Sequence, residues 1–395
     1  MVTDSEGATN LGELTASSLA QEFTKTAVAG AVGQTSIEEL NKLRNSGLID
    51  LLIPKSYGGW GETLFDAFKV VRQISKADGS LGRLLGCHYA NSTIPLLFGT
   101  PEQNARLCLH SVRHKWFWGD VINSRDPELI FTPDGENFRL NGVKKFCTGA
   151  KGLNVVVVSG VRSDLNNILF AVLPKDRHGI VVSNDWKFMD PSQTDSDSVV
   201  FDNVLIRQDE ILGNPDCQEL PTPFATMITC LYQLFFVNLY LGIALAAFEA
   251  AKEYTRSTTS PWLLSPADTA TQDPYIIEQY GDLWIDLTAT ESHVDKVASL
   301  FQTAWDKREA LTAGERGKVA IEIASAKVLS TRVSLNVTSK IFEIMGAGSG
   351  ESKYRFERYW RNVRVHTLQE PVVYKVYEVG DWILNKQLPR FTLYT

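Results

Sequence analysis

The 395-residue sequence predicts an α+β chain in three parts: an N-terminal α-helical domain over 1–115, a central β domain, barrel or sandwich, over 116–215, and a C-terminal four-helix bundle over 216–395. Three observations carry this division. In the first and last thirds apolar residues recur at spacings of three and four, the period of a helix with one buried face. The middle third changes to short β-rich runs broken by Asp, Asn, Gly and Pro. A single core rarely grows past about 250–300 residues, so a chain of this length divides.

Over 17–109 the strings IEELNKLRNSGLIDLLI and LFDAFKVVRQISKADGSLGRLLG place their apolar side chains on helical faces, with SYGGWGE between them as a glycine turn. From 116 to about 211 the runs FRLNGVKKF, NVVVVSGV, NILFAVLP, GIVVS and SVVFDNVLI alternate with turn residues, which predicts a small antiparallel barrel or sandwich. Gly213, Asn214 and Pro215 end that region. Beyond them CLYQLFFVNLYLGIALAAF is the most apolar stretch of the chain, and Gln233, Asn238 and Glu249 interrupt it and its flank. Those interruptions favour a buried bundle helix over a membrane span. Asp273 before Pro274 is a helix start, because the carboxylate can accept from the first free amides while proline lacks the N–H that would be orphaned there. Ile276, Ile277, Tyr280, Leu283, Trp284 and Leu287 then make one apolar face. Two further helices are predicted over 292–311 and 315–345, divided by Thr312, Ala313 and Gly314, which brings the bundle to four.

Composition narrows the function classes. A chain 44% hydrophobic and 22% charged folds around a core, and a net charge of -7 without a Lys/Arg run repels a phosphate backbone, so nucleic acid is an unsuitable partner. The five cysteines, Cys87, Cys108, Cys147, Cys217 and Cys230, are odd in number and show no CxxC spacing. They predict reduced thiols, not a disulfide framework or a zinc site. The polar start MVTDSEGATN lacks the basic end and apolar core of a secretion signal, so a cytoplasmic setting is expected. His110 and His114 stand four apart, but no carboxylate completes an HExxH pattern, and His178 and His293 stand alone. No metal site is predicted.

Several strings carry a resemblance. GLIDLLIPKSYGGWG, VKKFCTGAKG and SVVFDNVLI, with IFEIMGAGSG and RYWRNVRVHTLQEPVVYKVYEVGDWILN near the C-terminus, resemble the acyl-CoA dehydrogenase superfamily along essentially the whole chain. The C-terminal strings are similar to one branch in particular, the flavin-dependent monooxygenases of the dibenzothiophene monooxygenase and sulfur-acquisition type. That resemblance implies an acyl-CoA dehydrogenase-like fold and a homotetramer. It also implies reduced FMN supplied by a separate NAD(P)H:flavin reductase, and a small, largely apolar substrate oxidised with oxygen, an organosulfur compound first. The sequence shows no strongly charged constellation that would hold an ionic substrate.

The resemblance also implies site residues. Thr148 matches a hydroxyl near flavin N5, where a C4a-hydroperoxide must be shielded from water. Phe146 and Trp186 match flat walls against the isoalloxazine. His88, in GCHYANST, matches a substrate-pocket histidine, and His366, in RVHTLQEP, a histidine that works as acid or base near neutral pH. Gly346 and Gly348, with Gly350, match the segment at the cofactor's phosphate end, often across a subunit contact, and Arg361 is counted with them as cofactor-binding.

Three departures matter. Where a second basic residue is expected for the cofactor phosphate, EYTRSTTSPW has Thr258, Thr259 and Ser260, so Arg256 is the nearest substitute and FMN affinity is expected to be modest. Gln369 stands where the branch commonly has a second histidine. Glu370 falls on the place of a dehydrogenase's catalytic base, which keeps open an FAD-dependent acyl-CoA dehydrogenase, although Pro371 replaces the glycine of those enzymes. A third alternative is a catalytically silent binding or assembly protein.

Overall fold

The computed structural model describes residues 10–29, 37–122, 129–145, 147, 153–183, 185, 197–217, 221–390 and 392. Six helices come first: α1 (Leu11–Ala29), α2 (Ile37–Asn45), α3 (Leu64–Ala77), α4 (Gly79–Ser92), α5 (Ile94–Phe98) and α6 (Pro101–His114). Thr63 and Asp66 cap α3 reciprocally, and Asp78 both ends α3 and caps α4 through the Ser80 and Leu81 amides. This leaves no linker between the two helices, and α4 is buried from Gly79 through Asn91. Such burial needs close approach: a Cβ at Gly82 would sit 2.0 Å from Ser75 Oγ.

The strands are β1 (Trp118–Val121), β2 (Leu129–Asp134), β3 (Asn137–Lys144), β4 (Val155–Arg162), β5 (Ile168–Pro174), β6 (Ile180–Val182) and β7 (Val199–Ile206). β5 pairs with β4 along one edge, antiparallel, while β1 and β2 take successive stretches of the opposite edge, both parallel to β4. β3, β7 and β6 continue the sheet antiparallel beyond β2. The expected antiparallel barrel is therefore corrected: the sheet is mixed and, among the described residues, open. Alternation along a strand has the same period in parallel and antiparallel pairs, so it could not reveal this. The alternation itself works on both faces. Val155 and Val157 enter the main helical core, whereas Val156 and Val158 enter a second core within the β region.

The chain then forms α7 (Met227–Ser257), α8 (Pro274–Trp305), α9 (Ala313–Met345), α10 (Glu357–Thr367) and α11 (Val372–Asn385). Asp273 caps α8 as expected, its carboxylate accepting from the Tyr275 and Ile276 amides. The expected break near Ser292 is absent. α8 continues through it because Thr288, Thr290 and Ser292 each donate a hydroxyl bond to the carbonyl four residues back, which satisfies them inside the helix. The four expected long helices are thus three, with α10 and α11 shorter. The apolar face predicted for α8 also divides: Leu283 and Leu287 are buried, while Ile277 and Trp284 remain more than half exposed.

α7 is long and apolar enough to cross a membrane by length and composition, yet 78% of its most apolar stretch is buried against other helices. Its interrupting Asn238 accepts two bonds from the buried Arg72 guanidinium, at 3.0 and 2.8 Å. Arg72 also pairs with Glu291 and Asp295, so one side chain joins α3, α7 and α8. A buried cation is tolerable only when paired and hydrogen-bonded in this way.

Candidate active site

Helices α4, α7 and α10 meet around Phe236. The Arg83 guanidinium of α4 lies 4.3 Å from the centre of the Phe236 ring, and the His366 imidazole of α10 lies 6.5 Å from it. Tyr240, one turn along α7, donates its hydroxyl to the His366 carbonyl at 3.0 Å and thereby pins α10 to α7. Gly79 allows α10 this close, since a Cβ there would sit 2.5 Å from Asn362 Oδ1. Beside Arg83 a narrow cleft of about 10 Å³ lies between Gly82 and Gly86 on α4 and Tyr232, Phe235 and Leu239 on α7.

His366 is buried, and its ring makes no hydrogen bond to a described residue. Burial, assisted by the Arg83 charge, pushes its pKa down to about 3. The imidazole is therefore neutral at pH 7 and, with its pKa held this low, a weak proton acceptor that offers one ring N–H, in contrast to the near-neutral titration expected for an acid and base. Arg358, Asn362 and His366 stand at four-residue spacing, one above another on α10. Arg358 Nη1 and Asn362 Oδ1 are buried without a hydrogen-bond partner, which offers a donor and an acceptor along this face. Such a pairing suits the alternating N–H and C=O edge of a flavin ring.

His88 has a different setting. It is fully enclosed, its Nε2 donates to the Ile49 carbonyl at 2.7 Å and its Nδ1 accepts the Trp118 amide at 3.0 Å. These two bonds define a neutral tautomer, and burial holds the pKa down at about 4. Both ring nitrogens are occupied by backbone, so in this arrangement His88 joins α4 to β1 and has no atom left for proton transfer. Further along α4, Asn91 accepts the Tyr232 hydroxyl at 2.6 Å.

Glu370 is likewise engaged. Lys327 of α9 pairs with its Oε2 and Lys375 of α11 with its Oε1 at 3.1 Å, while Lys375 also holds Glu378. Burial raises the Glu370 pKa, but the two lysines outweigh it and hold the carboxyl below its ordinary range. A carboxylate so stabilised is a poor proton acceptor. Gln369, beside it, is exposed.

The phosphate-end candidates gather elsewhere. Gly346 ends α9 with φ +79°, and Thr259 donates its hydroxyl to the Met345 carbonyl at 3.2 Å, which brings the end of α7 to this turn. Gly348 lies under Tyr254, and Arg256 is exposed on the last turn of α7. Arg361 is half-buried midway along α10. Twenty residues of α7 separate Phe236 from Arg256, about 30 Å of helix. Phe146, Thr148 and Trp186 lie outside the described residues.

Sequence reasoning missed Arg83, Phe236 and Asn362. The available signal for Arg83 was a lone cation inside GSLGRLLG, an otherwise apolar helical string. Phe236 and Asn362 had none, because a phenylalanine in an apolar run reads as core and a surface-spaced asparagine as solvent-facing.

Comparison with known proteins identifies the family. The family model for the acyl-CoA dehydrogenase N-terminal domain matches residues 11–113, and that for the C-terminal domain matches 234–371. The dibenzothiophene monooxygenase of Mycolicibacterium goodii is 39% identical over 370 residues, 90% of this chain and 89% of that protein. The solved structure of methanesulfinate monooxygenase MsuC from Pseudomonas fluorescens superposes with a TM-score of 0.93 at 38% identity, covering 97% of this chain and 99% of that one. TdsC from Paenibacillus sp. A11-2, solved with FMN and indole, does so with a TM-score of 0.93 at 36% identity, covering 98% and 100%. The chain belongs to the acyl-CoA dehydrogenase superfamily, within its branch of flavin-dependent monooxygenases.

Proposed function

We propose that the enzyme takes reduced FMN from a separate NAD(P)H:flavin reductase in the cytoplasm and transfers one oxygen atom of O₂ to the sulfur of a small organosulfur compound. When bound, the reduced flavin supplies the two electrons; the second oxygen leaves as water and oxidised FMN is released. The observation that carries this reading is the cleft beside Arg83, largely apolar and ending near a buried, neutral histidine. Its apolar walls favour an apolar group over a charged one. His366 then serves as the proton-handling group, with Arg358 and Asn362 beside it as polar contacts for the ring, and Thr148, Phe146 and Trp186 keep the flavin-facing roles that the family resemblance implies. His88 is assigned a positioning role, since it fixes α4 against β1.

The separation of about 30 Å along α7 between Phe236 and Arg256 is too great for one FMN to touch both. We therefore assign the Arg256, Gly346 and Gly348 region of one protomer to the cofactor of another, within a homotetramer. Exposed apolar side chains support such a contact, among them Trp262, Leu263, Tyr374, Tyr377 and Leu384.

Anaerobic mixing with reduced FMN, then oxygen and dibenzothiophene, tests the reading. The expected result is a sulfur-oxygenated product and tighter binding of reduced than oxidised FMN. Retention of stoichiometric FAD through gel filtration, with turnover of an acyl-CoA by an artificial electron acceptor, would overturn it.

A further inference from the structure

His366 stands in the last turn of α10, where a helix runs out of its own hydrogen bonds. The final carbonyls of an α-helix have no intrahelical amide to accept from. Pro371, which has no N–H, stands four residues after Thr367, so the helix cannot continue through it. The His366 carbonyl meets the Leu368 and Gln369 amides of its own segment, the second only at 3.4 Å. The Tyr240 hydroxyl supplies a better bond at 3.0 Å, from a side chain 1% exposed on α7. Burial pushes the Tyr240 pKa up, so the hydroxyl keeps the proton it donates.

Other anchors hold the segment on either side of this residue. Asn362 lies against Gly79 one turn before His366, and Glu370 is clamped by Lys327 and Lys375 one turn after it. Between these anchors the Tyr240 bond falls on His366 itself. The Tyr240 ring also stands 6.1 Å from Phe236, which in turn faces the imidazole at 6.5 Å. Because the imidazole bonds no described residue, its place is set by its backbone and by this ring packing. We infer that Tyr240 is a positioning residue, whose hydroxyl holds the last turn of α10 so that the His366 ring reaches the reacting atoms. This inference rests on the proposed role of His366 for its consequence in turnover, but not for the tether itself.

Tyr240→Phe removes the hydroxyl and keeps the ring, so the variant fills the same space and retains the fold. The first readout needs no flavin. With the six histidines isotope-labelled at ring Cε1, the NMR signal of His366 is the one absent from His366→Ala. In Tyr240→Phe this signal should move while that of His88 stays. The second readout is single-turnover oxygenation with reduced FMN and oxygen, which should slow by about ten- to a hundredfold, the scale for a reacting group displaced by about 1 Å. Binding of reduced FMN should change less than about threefold. In the His366→Ala background Tyr240→Phe should add no further loss, because both changes act through one group. An unmoved His366 signal, or an undiminished loss in the His366→Ala background, would overturn the inference. If wild type oxygenates dibenzothiophene and Tyr240→Phe matches its rate, only the role of Tyr240 falls; if wild type oxygenates nothing yet the His366 signal moves, the oxygenase reading falls and the tether stands.

Discussion

Two buried histidines border helix α4 and differ in what their rings touch. His88 spends both nitrogens on backbone, the Ile49 carbonyl and the Trp118 amide, and so acts as a hydrogen-bonded joint between a helix and a strand. His366, at the other end of α4, is as deeply placed but gives its backbone carbonyl to Tyr240 and keeps its ring beside Phe236 and the charge of Arg83. Burial alone does not separate a structural histidine from a functional one. What separates them is whether the polar atoms are already used: both ring nitrogens of His88 are taken by backbone, and those of His366 bond no described residue.

The comparison can be broken most sharply at His366. His366→Ala should lower the oxygenation step by about 10² to 10⁴, the range of a positioned acid or base. Its melting temperature should stay near wild type. Single-turnover kinetics with reduced FMN and oxygen would check the rate, and an unchanged rate would remove His366 from the site.

Glu370→Gln should do the opposite. Removing the Glu370 charge leaves the buried Lys327 uncompensated, while Lys375 keeps Glu378, which costs about 3 kcal/mol of stability. Denaturant unfolding measures that loss, and oxygenation in the folded fraction should fall far less than in His366→Ala. Abolished turnover in a variant that remains fully stable would instead favour the dehydrogenase mechanism.

His88→Ala should cost about 2 kcal/mol, because it leaves a buried carbonyl and a buried amide without partners. The wild type should show the related pH effect. The folded pKa of about 4 lies below the ordinary 6.5, so the unfolded chain takes the proton first. This contribution to stability is complete above pH 6.5 and is lost as pH falls toward 4. A His88→Ala variant should lose less stability than wild type over that interval, and identical acid profiles would refute the assignment.

The smallest effect is expected at Thr148, where one neutral hydrogen bond is at stake. Thr148→Ala should change the coupling of NADH use to product by about two- to tenfold, with the difference released as hydrogen peroxide. Unchanged coupling in an assay with the reductase would exclude a role for this hydroxyl.

Much of the helical architecture was legible because it depends on local chemistry. The cap at Asp273 and Pro274 acts through amides two and three residues away, and the apolar runs of α3 and α7 needed only their own spacing. The continuity of α8 was missed because a run containing Thr288, Thr290 and Ser292 reads as a break unless their bonds to preceding carbonyls are known. The exposure of Ile277 and Trp284 was missed for another reason: periodicity marks a face as apolar but not what covers it.

The candidate site divides in the same way. His366 and the glycine turn after α9 could be proposed from their strings, and the amino-acid order alone determines that a lone Arg83 sits in an apolar helix near His88. Which of these residues share a cavity was decided only by tertiary structure. Arg83, Phe236 and His366 are separated by well over a hundred residues in all and meet because α4 and α10 pack on the same part of α7. The same packing spends both nitrogens of His88 on backbone from two other elements, and it carries Arg256 to the far end of α7. A hydrogen bond or ring contact depends on distances of a few ångström between elements, and linear spacing specifies those only within one helix or one strand.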